Sequence, residues 1–192
     1  MSAVRAHDAV PAEPQRLMDA AALDRTLTRL AHEVLERYRE PGVPVLVGIR
    51  DGGVPVARAL ATVMAALGGR RPAVLTLDVT AWRDDRPRPD RAAEGALATL
   101  DGEVGAPVLG AAVLLVDDVL HTGRTLRAAL EGLAAHGRPA SVEALVLVDR
   151  GRRELPLRAT FVGRNLPVAA GDWVDVALDA GSAPGAWLVR RA

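Results

Sequence analysis

At 192 residues, with 24 basic against 24 acidic side chains, the chain has the size of one ordinary domain and no net charge to mark it as a general nucleic-acid binder. It is 49% hydrophobic and 25% charged and has no cysteine, so a globular core is available while disulfides and thiolate chemistry are excluded. No apolar run reaches membrane-span length, no secretory pattern opens the sequence and the four histidines lack metal-ligand spacing, which predicts a cytoplasmic protein with no protein-ligated metal.

Residues 1–16, rich in Ala, Pro and charge without a period, predict a disordered tail ahead of one domain over 17–192. Asp19 is placed to cap a helix reaching about Arg39, with Leu23, Leu27, Leu30 and Val34 on one face and Arg25, Thr28, Arg29, His32 and Glu36 on the other. Pro41 and Gly42 end it. Val45–Ile49 is a short apolar strand leading through Arg50, Asp51, Gly52 and Gly53 into a helix from about Val54 to Leu67. Ala73–Thr80 reads as the next strand. Trp82–Gly110, dense in Arg, Asp, Pro and Gly, reads as a loop of a length that is usually functional or mobile. Ala112–Val116 is a continuous apolar strand, as in a parallel sheet covered on both faces, and a helix follows from about Gly123 to His136. Ser141–Val148 is another such strand, with shorter ones over Thr160–Gly163, Trp173–Leu178 and Ala186–Arg190. The alternation predicts an α/β fold with a mostly parallel sheet. Aromatics are limited to Trp82, Trp173, Trp187, Tyr38 and Phe161, so the core is aliphatic. Lysine is absent, and every Arg offers a planar fork of donors suited to phosphate.

The segment Val113–Thr125 (VLLVDDVLHTGRT) carries the chemistry. An apolar strand delivers Asp117 and Asp118 to the carboxyl edge of the sheet, where open α/β sheets bind ligands. Thr122, Gly123, Arg124 and Thr125 then form a small polar turn opening a helix, where backbone amides and two hydroxyls make an anion cradle. Gly123 permits close approach of backbone to phosphate. Acids beside an anion cradle conflict unless the ligand is a sugar phosphate. The acids then accept hydrogen bonds from vicinal ribose hydroxyls while the turn holds the 5-phosphate. The missing Gly-Lys-Ser/Thr element excludes a Walker A loop.

This string resembles the 5-phosphoribosyl diphosphate (PRPP) signature of the type I phosphoribosyltransferase fold. Along most of the chain the sequence is similar to the PyrR family, the pyrimidine operon attenuators and uracil phosphoribosyltransferases. The likeness runs through Leu27–Glu33, Leu46–Ile49, Trp82–Asp85, the PRPP string, Gly137–Ser141, Val146–Arg158 and Phe161–Asn165. It is absent from the N-terminal tail and from Pro87–Gly110.

The resemblance implies a five-stranded parallel sheet with flanking helices and a small hood, PRPP bound with Mg²⁺, and ribosyl transfer to uracil to give UMP and pyrophosphate. It also implies binding of a hairpin in pyrimidine-operon messenger RNA, tuned by UMP or UTP, and a homo-oligomer, dimer or tetramer. By similarity Asp117 and Asp118 hold the ribose hydroxyls, His121, Thr122, Gly123, Arg124 and Thr125 hold the 5-phosphate, and Arg83 closes over pyrophosphate. Arg150 and the backbone of Val174 stand at the uracil contacts. The matching RNA-contact positions are Thr28, His32, Arg37, Arg152, Arg153, Arg158 and Arg164, with Arg152 in place of a usual His. Trp82 stands where Tyr is usual and His121 where an aromatic is usual. Asp51 and Gly52 occupy the pyrophosphate loop where Thr and Arg are usual. An acid added and a cation removed beside an anionic leaving group cost about 1 to 4 kcal/mol at surface-like screening. Two alternatives therefore stand beside the bifunctional reading. One is an RNA-binding regulator with weak or lost catalysis. The other is a salvage phosphoribosyltransferase for another base without RNA binding.

Overall fold

The computed structural model describes residues 13–39, 42–68, 70–82, 100–102, 108–178 and 183–190. Along the chain these form β1 (Gln15–Met18), α1 (Ala20–Arg37), β2 (Val45–Ile49), α2 (Gly53–Ala66), β3 (Val74–Leu77), a 3-10 turn (Thr80–Trp82), β4 (Leu100–Gly102), β5 (Ala112–Leu120), α3 (Arg124–Ala134), β6 (Ser141–Asp149), β7 (Phe161–Asn165), β8 (Trp173–Ala177) and β9 (Gly185–Val189). The main sheet has the order β4-β3-β2-β5-β6-β7. Strands β3, β2, β5, β6 and β7 run parallel, and β4 lies antiparallel on the β3 edge. A separate antiparallel sheet, β1-β9-β8, forms the hood. This is the α/β architecture expected from the sequence, a mostly parallel sheet with flanking helices and a small hood.

Two aliphatic layers explain the continuous apolar runs. Along β5, Leu114 and Val116 pack with α1 and α2, while Val113 and Leu115 pack with Leu126, Ala129 and Leu133 of α3. With both faces covered, strand alternation cannot appear as apolar and polar positions. Each fully buried Leu contributes about 1.5–3 kcal/mol, so these layers dominate the fold's stability. On α1 the residues Leu23, Leu27, Leu30, Ala31 and Val34 are buried, the stripe that helical spacing requires. Asp19 caps it, its Oδ1 accepting from the Ala22 amide at 2.8 Å, a contact typically contributing about 1 kcal/mol.

Three of the differences from the sequence expectation have a tertiary cause. Strand β1 takes in Gln15 and Arg16, which the sequence places in the tail, because pairing with β9 more than 150 residues away orders them. Leu100–Gly102 pairs with β3, although the sequence there reads as loop. Three residues carry no periodicity, and only the open edge of β3 makes them a strand. Finally, β5 extends through Asp117 and Asp118 to Leu120, because its partner β6 continues alongside to Asp149.

Candidate active site at the carboxyl edge of the sheet

Two strand-to-helix turns meet at the carboxyl edge of the neighbouring strands β2 and β5. The first, Arg50 to Gly52, opens α2, and the second, His121 to Gly123, opens α3. The hood approaches from above, where β8 contacts β5. Arg150, at the end of β6, ties the hood down by donating from Nη2 to the Asp172 carbonyl.

Asp117 and Asp118 end the apolar run of β5 and stand between the two turns. Asp117 Oδ1 accepts from the Asp118 amide at 3.1 Å, and Asp118 Oδ1 accepts from the Val119 amide at 2.7 Å. Burial pushes the Asp118 carboxyl above its ordinary value, and the charge of Asp175 on β8 pushes the same way. The Val119 amide and Asp117 oppose that rise. A carboxylate largely withdrawn from water gains from ligand hydroxyls that donate to its remaining lone pairs.

The β5 turn fits an anion. Gly123 has φ 91° at the position preceding α3, a left-handed conformation that L side chains avoid. Gly123 brings no capping side chain to α3, so beyond the Arg124 amide its first-turn amides are left to a ligand or to water. The Thr122 Oγ1 accepts from the Arg124 amide at 3.3 Å, which tightens the turn. Arg124 turns outward, its Nε donating to Glu154 at 2.7 Å. His121 is held below its ordinary value by burial first and by the cation of Arg150 second, so its ring is neutral at pH 7.

The β2 turn is different. Asp51 adopts φ 72°, a left-handed conformation uncommon for a residue other than glycine. Arg50 leaves the turn to pair with Asp78 at 3.1 Å. Gly52 lies against the Asp118 carboxylate so closely that a Cβ would sit 2.3 Å from Asp118 Cγ. Asp118 thus occupies space that any side chain at residue 52 would claim.

Arg150 is 8% exposed, and its buried Nε has no hydrogen-bond partner among the described residues. Val174, on β8, is buried, and the exposed Asp175 beside it faces Asp118 electrostatically. Arg83 lies outside the described residues.

The RNA-contact candidates divide. Thr28 and His32 are exposed on α1 and line a groove of about 540 Å³ with Asp24, Arg25 and Arg29. Arg37 is exposed and donates from Nε and Nη2 to Glu143 Oε1 at 3.2 and 3.0 Å, while Tyr38 Oη donates to Glu143 Oε2 at 2.6 Å. Arg152, at φ 56°, donates to the Val168 carbonyl at 3.1 Å, and Arg164 donates to the Leu17 carbonyl at 2.6 Å. Arg158 is exposed. Arg153 departs from the expected surface arginine. Its guanidinium is spent inside the protein, on Asp149 and on the carbonyls of Leu157, His121 and Gly151. It lies between two exposed arginines in the sequence; Asp149, Gly151 and Leu157 are within four residues of it, and the return of its loop onto the β5 turn adds the His121 carbonyl.

The residues 1–12, and so most of the expected tail, lie outside the described set. Sequence patterns also missed Asp175 and the loop 151–158 as neighbours of the site. Both arrive through contacts spanning tens of residues, with no local signal to mark them.

The phosphoribosyl transferase domain family matches residues 15–179. Bifunctional protein PyrR 1 of Lactiplantibacillus plantarum is 43% identical over 165 residues, covering 86% of this chain and 91% of that protein. Bifunctional protein PyrR of Geobacter sp. strain M21 is 44% identical over 175 residues, covering 91% and 97%. The chain belongs to the PyrR family. Among solved structures, the hypoxanthine phosphoribosyltransferase of Trypanosoma cruzi aligns with TM-score 0.67 at 19% identity, covering 97% of this chain and 95% of that one. The hypoxanthine-guanine phosphoribosyltransferase of Bacillus anthracis aligns with TM-score 0.65 at 18% identity, covering 92% and 98%. These two share the fold of the PyrR-family chain. Among the described residues no helix is long and apolar enough to cross a membrane.

Proposed function

We propose that this chain is a cytoplasmic uracil phosphoribosyltransferase that also binds a hairpin of pyrimidine-operon messenger RNA under the control of UMP or UTP. One observation carries the reading: a half-buried acid pair at the end of β5 stands beside the turn that opens α3, where Gly123 brings no capping side chain. That combination suits a ligand with vicinal hydroxyls at one end and a phosphate at the other.

In the reaction, the bond between ribose C1 and pyrophosphate breaks, the uracil N1–C1 bond forms, and the N1 proton is lost. The ring becomes cationic on the way, so the protein's work is to align and to stabilise charge. Asp117 and Asp118 accept from the ribose hydroxyls. His121 to Thr125 hold the 5-phosphate, and the neutral ring of His121 can donate to it. Arg150 and the Val174 backbone address the uracil carbonyls and ring amide, and the unpartnered Arg150 Nε supports that role. Arg83 is assigned to pyrophosphate by family likeness.

Among the described residues there is no cluster of three or more potential metal ligands. One or two carboxylates beside a phosphorylated ligand fit Mg²⁺ nonetheless, because this cation keeps waters and phosphate oxygens as most of its shell. Asp117 and Asp118 would face it, and it would neutralise the departing pyrophosphate.

The exposed set Thr28, His32, Arg37, Arg152, Arg158 and Arg164, one hydroxyl among basic and imidazole side chains, supports RNA binding through phosphate contacts and stacking on splayed bases. A homo-oligomer, dimer or tetramer, is part of the same reading. The test is UMP formation from uracil, PRPP and Mg²⁺, with an RNA gel shift in the presence and absence of UMP. Turnover with uracil and a UMP-dependent shift are expected. No turnover with uracil alongside turnover with another base overturns the assignment. A shift without turnover leaves an RNA regulator and removes the enzyme.

A further inference from the structure

Loop 151–158 folds back on the β5 turn and makes its rear wall. The amides of Glu154 and Leu155 both donate to the Thr122 carbonyl, at 3.0 and 3.1 Å. Arg153 Nη1 donates to the His121 carbonyl at 2.6 Å and to the Gly151 carbonyl at 3.2 Å, and its Nε donates to the Leu157 carbonyl at 2.9 Å. Its Nη2 is anchored on Asp149, whose other oxygen accepts from the Gly151 amide at 2.9 Å. The Arg153 and Asp149 side chains are only 20% and 16% exposed.

A trans peptide is planar and sets its carbonyl and its amide on opposite sides. Holding the His121 and Thr122 carbonyls against the rear wall therefore aims the Thr122 and Gly123 amides the other way. Those are the amides a 5-phosphate would meet in the turn. Without the grip on His121, that peptide is free to rotate and must be ordered when the ligand binds, at an entropic cost.

We propose that Arg153 is a positioning residue of the phosphate turn, acting through the His121 carbonyl to preset the amides that receive the 5-phosphate, and that it is not a surface contact for RNA. The proposal rests on the nucleotide reading above and adds a role to a side chain that family likeness places on RNA. It also makes one loop serve two faces: Arg153 grips the turn from within while Arg152 and Arg158 stand exposed on either side of it.

Titration calorimetry with UMP and with uridine separates a phosphate-specific role from general loosening. Arg153→Gln is expected to weaken UMP about tenfold, the loss typical of a charged hydrogen bond, and uridine less than about twofold. Arg153→Lys, which keeps one donor for the His121 carbonyl, is expected to recover part of the UMP loss. Asp149→Asn, which keeps the Gly151 bond and removes the anchor, is expected to shift UMP in the same direction by less. Should Arg153→Gln fail to fold in circular dichroism melts, Asp149→Asn decides by the same UMP-to-uridine comparison. Equal losses for both ligands overturn the proposal. So does unchanged UMP affinity combined with weaker RNA binding and a shallower salt dependence, the signature of a direct phosphate contact. Wild-type protein that binds neither UMP nor uridine overturns the nucleotide reading itself, and that result is visible before any variant is made.

Discussion

The turns after β2 and β5 are neighbours on one sheet edge, and each opens a helix, yet their chemistry is opposed. The β5 turn is moulded from behind: three donors of loop 151–158 hold its carbonyls, and Gly123 takes the left-handed conformation. Among the described residues no loop folds against the β2 turn in the way that loop 151–158 folds against the β5 turn. Its left-handed residue is Asp51, its arginine is drawn to Asp78, and its glycine accommodates the Asp118 carboxylate. The comparison teaches that a strand-turn-helix unit is not in itself an anion site. What decides is whether the carbonyls are held back and whether an acid fills the front.

The strongest way to break that comparison is Gly53→Ala. A Cβ there would lie 2.1 Å from the Val116 carbonyl oxygen, a backbone atom of β5 that no rotamer change can move. Loss of about 3 kcal/mol, or no soluble protein, is expected in denaturant melts. Asp118→Asn comes next. It should lower PRPP-dependent turnover about 100-fold while raising thermal stability slightly, because a carboxylate held up by burial is removed and Asn keeps an acceptor for the Val119 amide. The folded chain binds the Asp118 proton more tightly than the unfolded chain. Its contribution to stability is therefore present at acid pH and lost as pH rises through the folded value, and the variant should flatten that part of the stability profile.

Gly123→Ala sharpens the contrast from the other side. Space is sufficient, with the new Cβ 3.5 Å from Leu155 Cβ, so the cost is the left-handed conformation alone, about 1–2 kcal/mol, accompanied by weaker UMP binding. The smallest effect is expected remote from both turns, at Glu143. Burial pushes that carboxyl up, but the hydrogen bonds from Arg37 and Tyr38 and the Arg37 charge outweigh it and hold it below its ordinary value. Its stabilisation is thus present above the unfolded value and lost as pH falls through the folded one. Glu143→Gln should cost about 1 kcal/mol at pH 7 and nothing measurable at strongly acid pH, in urea titrations.

Much of this was legible in the residues. The apolar runs of β2, β5 and β6, the stripe of α1 and the Asp19 cap are local patterns, and each appears where periodicity puts it. The PRPP string was legible because strand, acid pair and glycine turn are contiguous. The fate of individual arginines was not. Arg153 looks like its neighbours Arg152 and Arg158, and no local pattern pairs Arg50 with Asp78. What each one meets depends on carbonyls and carboxylates brought from elsewhere in the chain.

The amino-acid order by itself determined the layers, the parallel strands and the strand, acid pair and glycine turn that we assign to a phosphorylated sugar, since those follow from hydrophobic period and short-range backbone geometry. Tertiary structure alone decided β1 and β4, the contact between Gly52 and Asp118, and the inward turn of Arg153. Each of these depends on an edge, a void or an acceptor that exists only after distant strands have paired, and no local pattern encodes the position of a partner still tens of residues away.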